Sequence, residues 1–162
     1  MSRIFKKNDL EQLESRYRAN LINSLSGYKS CNLVGSINKD KQENLCIVSS
    51  VVHIGSNPGC LGIVFRPNIV PRHTYENILE TKYFTVNQVN HTFLKKAHLT
   101  SKNFPREQSE FDAVGLTPSY LDSFIAPFVK ESDINIGLKC VEKYDIAFNP
   151  THLIIGEILY IK

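Results

Sequence analysis

Residues 32–54 read Asn32-Leu-Val-Gly-Ser-Ile37, Asn38-Lys-Asp-Lys-Gln-Glu-Asn44 and Leu45-Cys-Ile-Val-Ser-Ser-Val-Val-His-Ile54. Two apolar, β-branched runs flank a polar connection, which is the pattern of a β-hairpin. Asn57-Pro58-Gly59 is a turn, and Cys60 to Arg66 makes a third run. The three runs are apolar enough for a barrel or sandwich rather than a sheet with one wet face. Working outward, Tyr75 to Thr81 has the pattern of a short helix and Tyr83 to Val89 that of another strand. Phe128 to Glu131, Asn135 to Tyr144 and His152 to Ile161 complete the strands. Residues 90–127 are mixed and polar, broken by Pro105, Pro118 and Pro127, with short helices expected over His91–Leu99 and Ser109–Val114. Early hairpins and a late strand pair, without regular β-α-β alternation, point to a largely antiparallel barrel with helical insertions.

N-terminal to these strands, residues 8–25 read as one amphipathic helix, with Asn8 as N-cap and Gly27 closing its end. Leu10, Leu13, Tyr17, Leu21, Ile22 and Leu25 recur at helical spacing and would pack on the barrel or on a partner subunit. The division is thus a helical segment, 1–28, and a main domain, 29–162. A chain of 162 residues suits one domain burying roughly two-thirds of its unfolded surface. Its net charge of +3 is small and dispersed, and the loose group Lys95, Lys96, Lys102 and Arg106 lacks interleaved aromatics, so nucleic acid is not an expected partner. No apolar run reaches the ~20 residues of a membrane span, and Met1-Ser-Arg-Ile-Phe-Lys-Lys7 has no signal-peptide core. Cys31, Cys46, Cys60 and Cys140 lack metal or redox spacing and read as free thiols of a cytoplasmic protein.

Chemistry gathers at the third run's end, Arg66-Pro-Asn-Ile-Val-Pro-Arg-His-Thr-Tyr-Glu-Asn77. Two arginines, a threonine hydroxyl and the first amides of a helix meet at one strand-to-helix junction. Helix amides and guanidinium forks suit a phosphate. The same residues also suit a solvated loop in which Thr74 caps the helix. Elsewhere there is no Gly-x-Gly-x-x-Gly, P-loop, Gly-x-Ser-x-Gly or His-Glu-x-x-His, and the five histidines are scattered. Asn44-Leu-Cys-Ile-Val-Ser-Ser50 places polar groups at both ends of an apolar strand. They could bond the edge of a flat heteroaromatic ring, or be satisfied by neighbouring strand ends. Taken with the Arg66–Asn77 junction, the combination describes a ligand with a planar polar end and a phosphate end, such as a mononucleotide.

The order Asn44…Ser49-Ser50, Asn57-Pro58, Arg66-Pro67, Arg72-His73-Thr74, Asn77-Ile78 and Phe84-Thr-Val-Asn87 resembles the flavin reductase-like, FMN-binding split-barrel proteins. Glu110-Phe111-Asp-Ala-Val-Gly-Leu116 resembles that family's acidic-Phe…Gly-Leu element, and Gly156-Glu157-Ile-Leu its closing strand. The resemblance covers roughly residues 30–162. It implies a six-stranded antiparallel Greek-key split barrel, usually a homodimer, with FMN held non-covalently near the subunit interface. Carried over residue by residue, it implies Asn44, Ser49 and Ser50 along the isoalloxazine and ribityl side. Arg66, Arg72 and Thr74 would hold the phosphate, with Asn77 supporting the helix start. His98 and Thr100 fall where family members cover the flavin or meet the nicotinamide. Arg72-His73-Thr74 departs from the commoner Lys-Asp-Thr pattern but keeps a cation and the hydroxyl.

The implied activity is that of an FMN-dependent oxidoreductase taking electrons from NADH or NADPH, in which the flavin carries the hydride step. The alternative is a flavin-binding electron carrier, and a further one is a split barrel without flavin that serves as an interaction module.

Overall fold

The computed structural model describes residues 4–121 and 123–162. Its main element is a seven-stranded antiparallel sheet in the order β2-β1-β5-β8-β9-β4-β3. The strands are β1 (Asn32–Ile37), β2 (Glu43–Val48), β3 (Val51–Ser56), β4 (Gly59–Phe65), β5 (Tyr83–Gln88), β8 (Asn135–Ile146) and β9 (Thr151–Ile161). A separate ribbon pairs β6 (Pro118–Leu121) with β7 (Phe124–Val129). The helices are α1 (Lys7–Gln12), α2 (Ser15–Ser24), α3 (His73–Thr81), α4 (Leu94–Leu99) and α5 (Glu110–Val114).

The two outermost strands of the sheet, β2 and β3, are joined only by Ser49 and Ser50. Three Cα–Cα steps cover at most about 11 Å, so the sheet must curl until its opposite edges meet there. No ladder joins those edges among the described residues, and the curled sheet is a split rather than a closed barrel. Its interior holds Val34, Ile63, Phe65, Phe84, Val86, Leu138 and Ile154, capped by Tyr75 and Ile78 of α3. A second cluster lies outside β1 and β2, where Leu33 and Leu45 meet Phe93, Ala97, Phe111, Val114, Leu116 and Val129. Strand β1 is therefore buried on both faces along its whole length, which suits its largely apolar sequence and leaves Asn32 and Ser36 as buried polar residues.

Three expectations are corrected. The barrel sheet has seven strands rather than six, because Ser49-Ser50 divides the run 45–54 into β2 and β3 at opposite edges. The helix expected over 8–25 is two helices. Leu13 turns to an extended conformation (ψ 144°), and the Glu14 carboxylate accepts from the amides of Arg16 and Tyr17, both at 2.8 Å, to start α2. Asn8 lies inside α1; Asp9 instead reaches back to the Lys6 amide at 2.8 Å. Neither helix has a buried residue, and Tyr17, Ile22 and Leu25 stay largely exposed.

The ribbon was the least legible part. Pro118 and Pro127 read as breakers, yet both are strand residues here, tolerated because a two-stranded ribbon leaves outward amides unpaired. β7 crosses directly over the sheet: the Thr85 hydroxyl donates to the Pro127 carbonyl at 2.6 Å. Asn87 secures the same layer, donating to the Leu33 carbonyl and accepting from the Val129 amide, both at 3.0 Å. Among the described residues, no helix is long and apolar enough to cross a membrane.

Candidate functional site

Helix α3 begins where β4 has delivered the chain to one end of the barrel. Arg72 is its N-cap residue, and the first intrahelical bond runs from the Glu76 amide to the Arg72 carbonyl at 2.9 Å. The amides of His73, Thr74 and Tyr75 therefore have no carbonyl acceptor within the helix. The Glu76 carboxylate turns back to the Arg72 amide at 3.1 Å. The Arg72 side chain is half-buried, and its Nε is fully shielded with no hydrogen-bond partner. Arg66, just beyond β4, is exposed, and neither arginine is in an ion pair among the described residues.

Thr74 is not a cap. It lies inside the first turn, buried, and its hydroxyl donates across to Asn44 Oδ1 on β2 at 2.5 Å. The Asn44 carboxamide is also buried, and its Nδ2 lies 2.7 and 2.6 Å from the two oxygens of Glu110 on α5. The Leu45 amide donates to Glu110 Oε2 at 2.9 Å. Burial pushes the Glu110 carboxyl above its ordinary range, opposed by the Leu45 amide, its own amide, the Asn44 carboxamide and the charge of His73. Burial also raises the Cys46 thiol to about 11; Thr74 and Arg72 oppose the rise and Glu110 adds to it. One buried polar chain thus links α5, β2 and the head of α3.

One turn further along α3, buried Asn77 donates to Ser36 Oγ at 3.2 Å and accepts from Arg106 at 3.1 Å. Arg106 also pairs with Glu76. These contacts tie α3 to β1 and to the 90–127 connection. A hollow of about 370 Å³ beside them is lined by Asp40, Glu76 and Glu80 as well as Arg106. That acidic lining disfavours an anion in this hollow.

The remaining expected residues lie as follows. Ser50 donates to the Val64 carbonyl at 2.8 Å, tying the β2–β3 link to β4, while Ser49 is exposed. Thr100 is buried and donates to the Ala97 carbonyl at 2.8 Å, finishing α4. His98, on the same helix, is exposed. Thr74 and Asn77 thus face β2 and β1 from α3, with Asn44 against Thr74 and Arg72 at the start of the helix, whereas the Thr100 hydroxyl is engaged within its own helix.

The sequence marks Glu110 only as the acid that opens the acidic-Phe…Gly-Leu element, with no partner or role attached to it. Its signal is an acid sharing the apolar face of α5, four residues before Val114 and beside Phe111, all three buried. Ser109 next to it has a shielded hydroxyl without a partner.

The sequence profile of the flavin reductase like domain matches residues 29–162. The chain belongs to the flavin reductase-like domain family. A split-barrel protein from Shewanella frigidimarina NCIMB 400, assigned as a flavin reductase, is 48% identical with a TM-score of 0.94, over 99% of this chain and 79% of that one. Nitrilotriacetate monooxygenase component B from Bacillus cereus shares the fold at a TM-score of 0.85 and 19% identity, over 99% of this chain and 81% of that one. An uncharacterized protein of Aquifex aeolicus (strain VF5) is 34% identical over 131 residues, 80% of this chain. This flavin reductase-like chain spans 66% of that relative's length.

Proposed function

We propose that the protein is an FMN-dependent oxidoreductase of the flavin reductase type, taking electrons from NADH or NADPH and passing them to a flavin or another acceptor. The observation that carries this reading is the shielded, unpartnered Arg72 Nε at the head of α3. Together with the first amides of the helix and with Arg66, it makes a set of donors without acceptors, which suits a phosphate monoester.

In this reading Arg72, Arg66 and the α3 amides hold the phosphate of non-covalent FMN, with Thr74 beside it and Asn77 anchoring the helix. Ser49 and Ser50 follow the ribityl chain and the ring edge, while Asn44, buried and committed to Glu110 and Thr74, supports that side from behind. His98 and Thr100 belong to the cover over the ring, where exposed His98 is the residue able to meet a nicotinamide. Bound flavin would supply the hydride-accepting centre. The chain's own task is to orient the ring, bond its edge and limit water, which is consistent with the absence of a triad or acid–base pair in the sequence. A homodimer is part of the proposal, since the unburied apolar side chains of α1 and α2 suit a partner subunit.

The test is the absorbance spectrum of the purified protein, reconstituted with FMN, before and after anaerobic NADH or NADPH. Bleaching at a rate supporting turnover is expected. Flavin that binds but is bleached by neither nicotinamide would sink the reductase reading in favour of an electron carrier.

A further inference from the structure

The buried chain from Glu110 through Asn44 to Thr74 has a directional consequence. The Asn44 carboxamide presents Nδ2 to the Glu110 carboxylate and Oδ1 to the Thr74 hydroxyl. A hydroxyl has one proton, and the Thr74 proton is committed to Asn44. The remaining side of the Thr74 oxygen, beside the Cys46 thiol and the charge of Arg72, then offers lone pairs and no donor. That is the wrong polarity for an anion.

We propose that Glu110 is a positioning residue for the anion site: its protonation reverses the Asn44 carboxamide and turns Thr74 from an acceptor into a donor toward the ligand. The proposal rests on the phosphate reading of the Arg72 end. Leu45 N–H holds Glu110 Oε2, so Oε1 is the oxygen available for a proton. Once protonated, Oε1 donates to Asn44 Oδ1, with the carboxamide turned over and swung off Oε2. Asn44 Nδ2 then donates to Thr74 Oγ, whose own proton is freed. The relay needs only a carboxamide flip and a hydroxyl rotation, with one proton taken up from solvent as the anion arrives. No covalent bond other than the acid O–H forms or breaks.

The surroundings suit such a group. The Glu110 carboxylate is not in an ion pair among the described residues, and its partners are neutral N–H donors. From α3, His73 favours its charged form, and from β2 the Cys46 thiol faces it. From α4, Lys96 is engaged with the Gly115 carbonyl at 2.6 Å. Burial already tilts the carboxyl toward its neutral form. An arriving phosphate, a second negative charge nearby, would tilt it further.

Glu110→Gln imitates the protonated state, because its amide donates to Asn44 Oδ1 while its oxygen keeps the Leu45 amide. The test is FMN affinity by fluorescence quenching from pH 5 to 8.5, for wild type, Glu110→Gln and Thr74→Val. Comparing proteins on one ligand cancels the phosphate's own ionisation. Wild-type affinity relative to Glu110→Gln should fall as pH rises, approaching tenfold per pH unit for one linked proton. Thr74→Val, which has no hydroxyl to reverse, should keep only the part of the pH dependence that comes from the Glu110 charge itself, and so vary less with pH than wild type. A constant wild-type to Glu110→Gln ratio across the range overturns the relay. So does Thr74→Val tracking wild type, which keeps the test decisive if Glu110→Gln does not fold. Wild type that binds no FMN at any pH overturns the flavin reading and the relay with it.

Discussion

The carbonyl oxygen of Pro127 lies 2.2 Å from where a Cβ on Gly35 would stand, and the Thr85 hydroxyl 2.6 Å from the same point. β7 can therefore cross β1 only because residue 35 has no side chain. The crossing brings Val129 onto Leu33 and Phe111 and so helps hold α5, with Glu110, against β2. Gly35→Ala must push β7 away, which should cost about 2–3 kcal/mol as overpacking. That corresponds to a fall in Tm of roughly 6–9 °C for a chain of this size. Thermal unfolding followed by circular dichroism checks it, and an unchanged Tm would show that the ribbon does not lie on β1.

The phosphate assignment is tested at its donors. Arg72→Ala combined with Thr74→Ala removes a cation and a hydroxyl from the head of α3. FMN binding should weaken by about 3 kcal/mol, roughly a hundredfold or more in Kd, as expected for lost charge-assisted bonds. Titration calorimetry measures this directly. An unaltered Kd would move the phosphate elsewhere.

Glu110 also makes stability depend on pH. Its carboxyl is raised by burial above the ~4.3 of an unfolded glutamate. Between the unfolded and folded values, the folded chain binds more protons than the unfolded one. Stability from this group is thus complete at acid pH and is lost as pH rises through the folded value. Urea midpoints of wild type and Glu110→Gln should diverge in that window, with only wild type losing stability as pH rises on this account. Parallel curves would mean that Glu110 is not a buried titrating group.

Cys46 gives a probe of the same buried chain that needs no ligand. With its thiol raised to about 11, it is almost wholly protonated at pH 8. Thiolate is the reactive form. Iodoacetamide should therefore label Cys46 about a hundredfold more slowly in the folded protein than in urea. Peptide mass spectrometry of timed samples reads the rate, and equal rates would contradict the half-buried setting of Cys46 beside Thr74 and Glu110.

Much of the barrel was legible because its signals are local. The runs at Asn32–Ile37 and Cys60–Arg66, the helix before Thr81 and the late strand pair all carry period, β-branching or turn residues within a few positions of one another. The junction from Arg66 to Asn77 was legible for the same reason, since arginines and a helix start lie within one loop. The N-terminal helix was misread because the Glu14 cap, which restarts the chain as α2, competes locally with a helical period that runs straight through Leu13. β6 and β7 were obscured by Pro118 and Pro127, whose acceptability depends on what lies beside them.

What the residues determined alone was the kind of structure: an antiparallel β domain with an anion-suited strand-to-helix junction. Tertiary structure decided how the parts address one another. Ser49-Ser50 reads as an interruption in a strand; only a curled seven-stranded sheet makes it the link between opposite edges. Thr74 reads as a cap, Asn44 as a strand end and Glu110 as one acid in a polar insertion. They become one buried hydrogen-bonded chain only when α3, β2 and α5 pack together. Glu110 and Asn44 lie 66 positions apart, and no periodicity reaches that far. Burial withdraws these groups from water and obliges them to satisfy one another, and that demand exists only once the chain has folded.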